Sequence, residues 1–105
     1  MSDTQGATRK DAGKARMELL DPTALEGCAA VLTFGAKKYA DHNWTKGMKW
    51  GRVIGSLLRH TAKFMGGEDV DAESGLPHVD HIMTNAMFLS NYYRKHKGLD
   101  DRVKE

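Results

Sequence analysis

The chain has 105 residues, with 16 Lys and Arg against 14 Asp and Glu, 40% hydrophobic and 29% charged residues, and a formal net charge of +2. A chain of that size folds as one domain around one core and needs no staple. Its single cysteine, Cys28, excludes a disulfide framework and a multi-thiolate zinc site; the small charge argues against a nucleic-acid partner, and no run approaches the ~18 apolar residues of a membrane span.

Residues 1–9 lack periodicity and hold no apolar signal-peptide core, which predicts a disordered arm on a soluble, cytoplasmic chain. A single helical domain is expected over 10–98, followed by a tail over 99–105. Asp21-Pro22 opens the first helix, Asp21 as N-cap and Pro22 where its missing N–H costs nothing, and the helix should run to about Tyr39. Leu25, Cys28, Ala29, Leu32 and Ala36 make its apolar face. The stretch 40–49 mixes Asp, Asn and Gly with Trp44, so it reads as a loop carrying one buried or ligand-facing aromatic.

A second helix is expected over about Met48 to Met65, with Trp50, Val53, Ile54, Leu57, Leu58, Thr61, Phe64 and Met65 as its stripe and Gly66-Gly67 ending it. After an acidic, turn-rich segment, Pro77 opens a third helix to about Lys97, with Val79, Ile82, Met83, Ala86, Leu89 and Tyr93 turned inward. No period-2 run appears, so the fold class is all-α, a small helical bundle. Met48, Met87 and Phe88 fall outside the stripes and are expected to leave surface for a second subunit, making a homo-oligomer.

The segment from Glu68 to His81 packs five acids and two histidines into fourteen residues. His78, His81 and Asn85 share one flank of the third helix, which places them at the border of a pocket. Carboxylates with imidazoles suit Mg²⁺ or Mn²⁺, and another divalent metal if two histidines bind directly. The plain structural alternative is a solvated acidic loop with two surface histidines. A calcium loop is excluded, because Gly75 comes one place late after Asp69-x-Asp71-x-Glu73 and no Glu fills the twelfth position.

A second constellation is basic and aromatic: Lys14, Arg16, Lys37, Lys38, Tyr39, His42, Asn43 and Trp44. Lys and Arg suit phosphate, and flat rings suit a base. The alternative reading gives the lysines to the helix C-terminus and the rings to the core. Arg59-His60 is a third pair, and His60 either is structural or faces the same pocket as the acidic segment. Cys28 reads as a core thiol.

The strings Gly13-Lys14-Ala15-Arg16, Phe34-Gly35-Ala36-Lys37-Lys38-Tyr39, Asn43-Trp44, Leu58-Arg59-His60 and Gly67-Glu68-Asp69-Val70-Asp71-Ala72-Glu73-Ser74-Gly75-Leu76-Pro77-His78-x-x-His81 resemble the phage and bacterial dATP/dGTP diphosphohydrolase N-terminal domain family. That family is placed near the MazG-like, all-α nucleoside triphosphate pyrophosphohydrolases. The resemblance implies an oligomeric, Mg²⁺- or Mn²⁺-dependent enzyme, in the host cytoplasm where a phage encodes it, that splits a purine deoxynucleoside triphosphate into monophosphate and pyrophosphate. It implies that Glu68, Asp71, His78 and His81 are metal ligands or the water-activating base, with His60 as a further ligand or base. Lys14, Arg16, Lys37, Lys38 and Arg59 become phosphate contacts, while Tyr39, Asn43 and Trp44 address base or sugar. MazG-type enzymes carry Glu-x-x-Glu on one helix and Glu-x-x-Asp on the next; here those places read His60-x-x-Lys63 and His78-Val79-Asp80-His81. Two readings stay open: a metal site rebuilt from the acidic segment, or a non-catalytic protein of the same fold that sequesters a nucleotide or nucleotide signal.

Overall fold

The structure is a computed structural model and describes residues 6–104. Of the arm expected over 1–9, residues 1–5 lie outside the described residues, and 6–9 are exposed and outside any helix. Three helices, α1 (Pro22–Lys38), α2 (Trp50–Met65) and α3 (His78–Lys95), are accompanied by short 3-10 turns at Met17–Leu19 before α1, Asn43–Lys46 between α1 and α2, and Lys97–Leu99 after α3. The described residues contain no strand, so the chain is all-α as its periodicity predicts. None of these helices is long and apolar enough to cross a membrane.

Helix boundaries follow local chemistry. The Asp21 carboxylate accepts the Ala24 N–H at 3.0 Å, and Pro22 stands at the first helical position. At the end of α2, Gly67 takes φ of +97°, its N–H donates to the Phe64 carbonyl and the Glu68 N–H to the Lys63 carbonyl. That is a Schellman closure, which needs a residue free of Cβ at the left-handed position. It turns the chain sharply and delivers Glu68 directly after α2.

Helices α1 and α2 both pack on α3 and scarcely meet each other, so the three do not close into a bundle with a common centre. The core lies at one end of the α2–α3 interface: Trp50, Val53 and Tyr92 are buried, with Trp44, Met48, Ile54, Phe88, Leu89 and Leu99 against them. Burying each such side chain is worth roughly 1.5–3 kcal/mol. Toward the other end the same interface turns polar. Ser56 and His60 of α2 there meet Asn85, His81 and His78 of α3.

This arrangement corrects several expected positions. Leu25 and Ala29 of α1, Leu58, Phe64 and Met65 of α2, and Val79, Ala86 and Tyr93 of α3 are exposed. On α3 it is His78, His81, Thr84, Asn85 and Tyr92 that are buried, because that helix is covered on two sides and its polar flank faces inward. Met48 and Phe88 pack on the core and Met87 Sδ lies 3.8 Å from Cys28 Sγ, so these three are not the free surface expected of them. Cys28 is buried, as expected of a core thiol.

The chain beyond α3 folds back onto the core. Leu99 joins the apolar cluster, Asp101 accepts the Gly51 N–H at 2.7 Å, and the Arg102 guanidinium lies 4.9 Å from the centre of the Trp50 ring. Its Leu99 side chain rests on Gly47, whose φ of +91° and lack of a Cβ make room for it.

Candidate active site

Because α1 and α2 stand apart on α3, an open cleft of about 790 Å³ runs between them. Leu32 and Ala36 of α1 form one wall, Arg52, Ser56 and His60 of α2 the other, and His81, Thr84, Asn85 and Phe88 of α3 the floor. The loop residues Tyr39, His42, Asn43 and Trp44 close one end. Trp44 stacks on Phe88 with ring centres 5.0 Å apart, and its carbonyl accepts the Tyr92 hydroxyl at 2.6 Å. It is thus both core-packed and cleft-facing.

The acidic segment is an ordered loop. Val70 bridges to Pro77, the Asp71 N–H donates to the Leu76 carbonyl at 2.8 Å, and the His78 N–H donates to the Asp69 carbonyl at 2.9 Å. This closure folds the loop back over the start of α3, bringing acids to histidines. His78, fully buried, has its Nε2 2.6 Å from Glu68 Oε2 and its Nδ1 2.9 Å from His60 Nδ1. The Ser74 backbone N–H and hydroxyl both reach Asp71 Oδ2, at 2.9 and 2.8 Å. The Ser74 oxygen also lies 2.7 Å from His81 Nε2. A carboxylate only accepts, so the Ser74 hydroxyl donates to Asp71 and His81 Nε2–H donates to Ser74. The His81 ring lies parallel to that of His60, with centres 4.3 Å apart.

Burial pushes the pKa of His60 and of His81 below the ordinary histidine value, and neighbouring imidazoles add to it. For Asp71 burial acts upward, but the two Ser74 bonds and the nearby histidines outweigh it and hold the carboxyl below its usual range. His60 and His81 are therefore held toward the neutral imidazole and Asp71 toward the carboxylate. His60, Asp71 and His78 each present a donor atom within 4.8 Å of the others, close enough to hold one ion.

Of the residues singled out in the sequence, Glu68, Asp71, His78, His81 and His60 come together here. Lys38, Tyr39, Asn43 and Trp44 line the cleft, Lys38 pairing with Glu73 at 2.7 Å. The cleft lining does not include Lys14, Arg16, Lys37 or Arg59, all exposed, and Arg16 pairs with Glu18 at 2.9 Å. Sequence reasoning gave no separate role to Ser74, Glu73, Arg52 or Ser56. Ser74 was open to discovery, since Asp-x-x-Ser is a pattern in which an acidic side chain captures the backbone three residues on.

The sequence of this chain has a relative encoded by a phage. The chain is 36% identical over 92 residues to the dATP/dGTP diphosphohydrolase of Salmonella phage PMBT28, an alignment covering 88% of this chain and 31% of that relative. Residues 4–102 match the family described as dATP/dGTP diphosphohydrolase, N-terminal, and the chain belongs to that family. It spans about a third of the length of the curated relative it matches. No solved structure matches.

Proposed function

We propose that the chain is a metal-dependent nucleotide hydrolase acting on purine deoxynucleoside triphosphates, releasing the monophosphate and pyrophosphate. The observation that carries this reading is the position of His60, which belongs at once to the metal-suited cluster and to the cleft wall. A nucleotide in the cleft would present its base to Trp44, Tyr39 and Asn43 and its phosphates toward Lys38 and Arg52. Lys38 would exchange its Glu73 partner for a phosphate oxygen. Lys14, Arg16, Lys37 and Arg59 gain no support as phosphate contacts from their positions.

The residues present fit a divalent cation, since imidazole nitrogens and a carboxylate oxygen converge. Such a cation, when bound, neutralises phosphate oxygens and acidifies a water. The chain's own part is to hold the α-phosphorus near His60, His81 and Asp71, accept the proton of the attacking water at a neutral imidazole, and stabilise the departing pyrophosphate with Lys38 and Arg52. Homo-oligomers belong to the same proposal, built on the apolar side chains of α2 that the fold leaves exposed.

The test is incubation with dATP, dGTP, ATP and GTP in Mg²⁺, Mn²⁺ or Co²⁺, followed by chromatography of the products. Monophosphate plus pyrophosphate, abolished by chelator, is the expected result; intact nucleotides in Mg²⁺, Mn²⁺ and also Co²⁺ overturn it. One observation favours a binding-only reading: the carboxylate pairs of MazG-type enzymes are replaced here by His60-x-x-Lys63 and His78-Val79-Asp80-His81. A binder would return its nucleotide intact and hold it in chelator.

A further inference from the structure

The expected cofactors, Mg²⁺ and Mn²⁺, suit oxygen-rich sites, whereas the donors that converge here are two imidazoles and one carboxylate. We propose that this cluster is a late first-row transition-metal site, selective against Mg²⁺, with His60 Nδ1, His78 Nδ1 and Asp71 as ligands and Glu68 as the carboxylate that orients His78. The inference rests on the reading above only in that a cation occupies the cluster; it assigns the ion's class and divides the residues between direct ligands and support.

Three observations carry it. The two Nδ1 atoms face each other at 2.9 Å. Nitrogens each about 2.1 Å from one ion and at right angles to one another lie about 3.0 Å apart, so the spacing suits adjacent positions on a single metal. A plain hydrogen bond between the rings would account for that distance but not for a buried Asp71 carboxylate oxygen within 4.8 Å of both imidazole donor atoms.

Next, Glu68 Oε2 lies 2.6 Å from His78 Nε2. A carboxylate accepts, so His78 carries a proton on Nε2 and turns its Nδ1 to His60. Carboxylate to histidine to metal is the usual way a ligating imidazole is fixed in its tautomer and made more basic. Glu68 thereby becomes a positioning residue and not a ligand. Last, both Ser74 bonds end on Asp71 Oδ2, which fixes the carboxylate and leaves Oδ1 unengaged by Ser74. Three protein donors leave coordination positions open, as a site that must also take water or phosphate requires.

The experiment is titration of the full chain with Co²⁺, read by its visible d–d absorption, and with Zn²⁺ and Mg²⁺ by calorimetry, alongside turnover in Mg²⁺, Mn²⁺ and Co²⁺. One equivalent of Co²⁺ should bind and develop imidazole-type bands, Zn²⁺ should displace it, and a hundredfold excess of Mg²⁺ should not. His60→Gln and Asp71→Asn, with folding checked by circular dichroism, should abolish the bands. Glu68→Gln, which still accepts the His78 proton without charge, should keep the bands but weaken affinity about 10- to 100-fold. Failure of Co²⁺ and Zn²⁺ to bind, equal competition by Mg²⁺, or unchanged bands in the folded His60→Gln protein would overturn the assignment. Turnover in Mg²⁺ without Co²⁺ binding removes this inference and leaves nucleotide hydrolysis standing; Co²⁺ binding without turnover in Mg²⁺, Mn²⁺ or Co²⁺ does the reverse.

Discussion

His60 and His81 tie the fold's stability to pH. Both have pKa values lowered from 6.5, mainly by burial, so the unfolded chain takes up protons that the folded chain resists. Stability from these two groups is complete above the ordinary histidine value and falls as pH drops below it. Asp71 acts in the same direction at lower pH: its depressed pKa favours the fold above the ordinary carboxylate value, and that contribution is lost as pH falls through the folded one. The midpoint of thermal unfolding should decrease steadily from pH 7.5 to 4.5, and His60→Gln should flatten the upper part of that decline. A midpoint that rises on acidification would contradict the burial argument.

Among the elements, α1, α2 and α3 were legible because their caps and stops are local. Asp21-Pro22 and Gly66-Gly67 mark boundaries that the structure keeps within a residue or two. Which face turns inward was legible only in part. Periodicity assumes that the apolar stripe is the buried one, whereas α3 is covered on both sides and buries His78, His81 and Asn85 while Val79 and Tyr93 stay exposed. Most of the cluster's members were legible, being acids and histidines crowded into one segment, whereas His60 on the preceding helix left two readings open. The wiring through Ser74 was not legible, because that depends on how a loop closes in space.

The end of the chain is an element that composition gave no reason to notice. Leu99 packs in the core and the His96 carbonyl accepts the Trp50 indole N–H at 3.2 Å. Leu99→Ala should cost about 2–3 kcal/mol, near the low end for a buried leucine because this one is only half-covered. Denaturant unfolding followed by tryptophan fluorescence measures it. A loss below about 0.5 kcal/mol would show that the tail does not contribute to the core.

At the scale of the whole molecule, the accessible surface is 8327 Å² and the radius of gyration 17.5 Å. A compact monomer of this mass would expose about 5,900 Å² and have a radius near 13 Å. Part of the excess comes from residues 6–20, all exposed, and part from the open arrangement of the helices. On α2, Leu58 is 57% and Met65 81% exposed, at i and i+7 on one side of the helix. Sedimentation should show a dimer or larger, and the Leu58→Glu, Met65→Glu double variant should be a monomer. A monomeric parent chain at tens of micromolar would remove self-association from the proposal.

The paired helices α2 and α3 give the site two parts of unequal durability. Every member of the imidazole and carboxylate cluster lies between His60 and His81, in one helix end, one loop and one helix start, so the loop to be closed is short. The aromatic end of the cleft instead depends on residues 46 to 51 positions apart, where Trp50 meets His96, Tyr92 meets Trp44 and His96 meets Thr45. Local opening of the segment after α3 therefore reaches the cleft's aromatic wall before it reaches the histidines. The aromatic wall can then loosen while the imidazole and carboxylate cluster keeps its place.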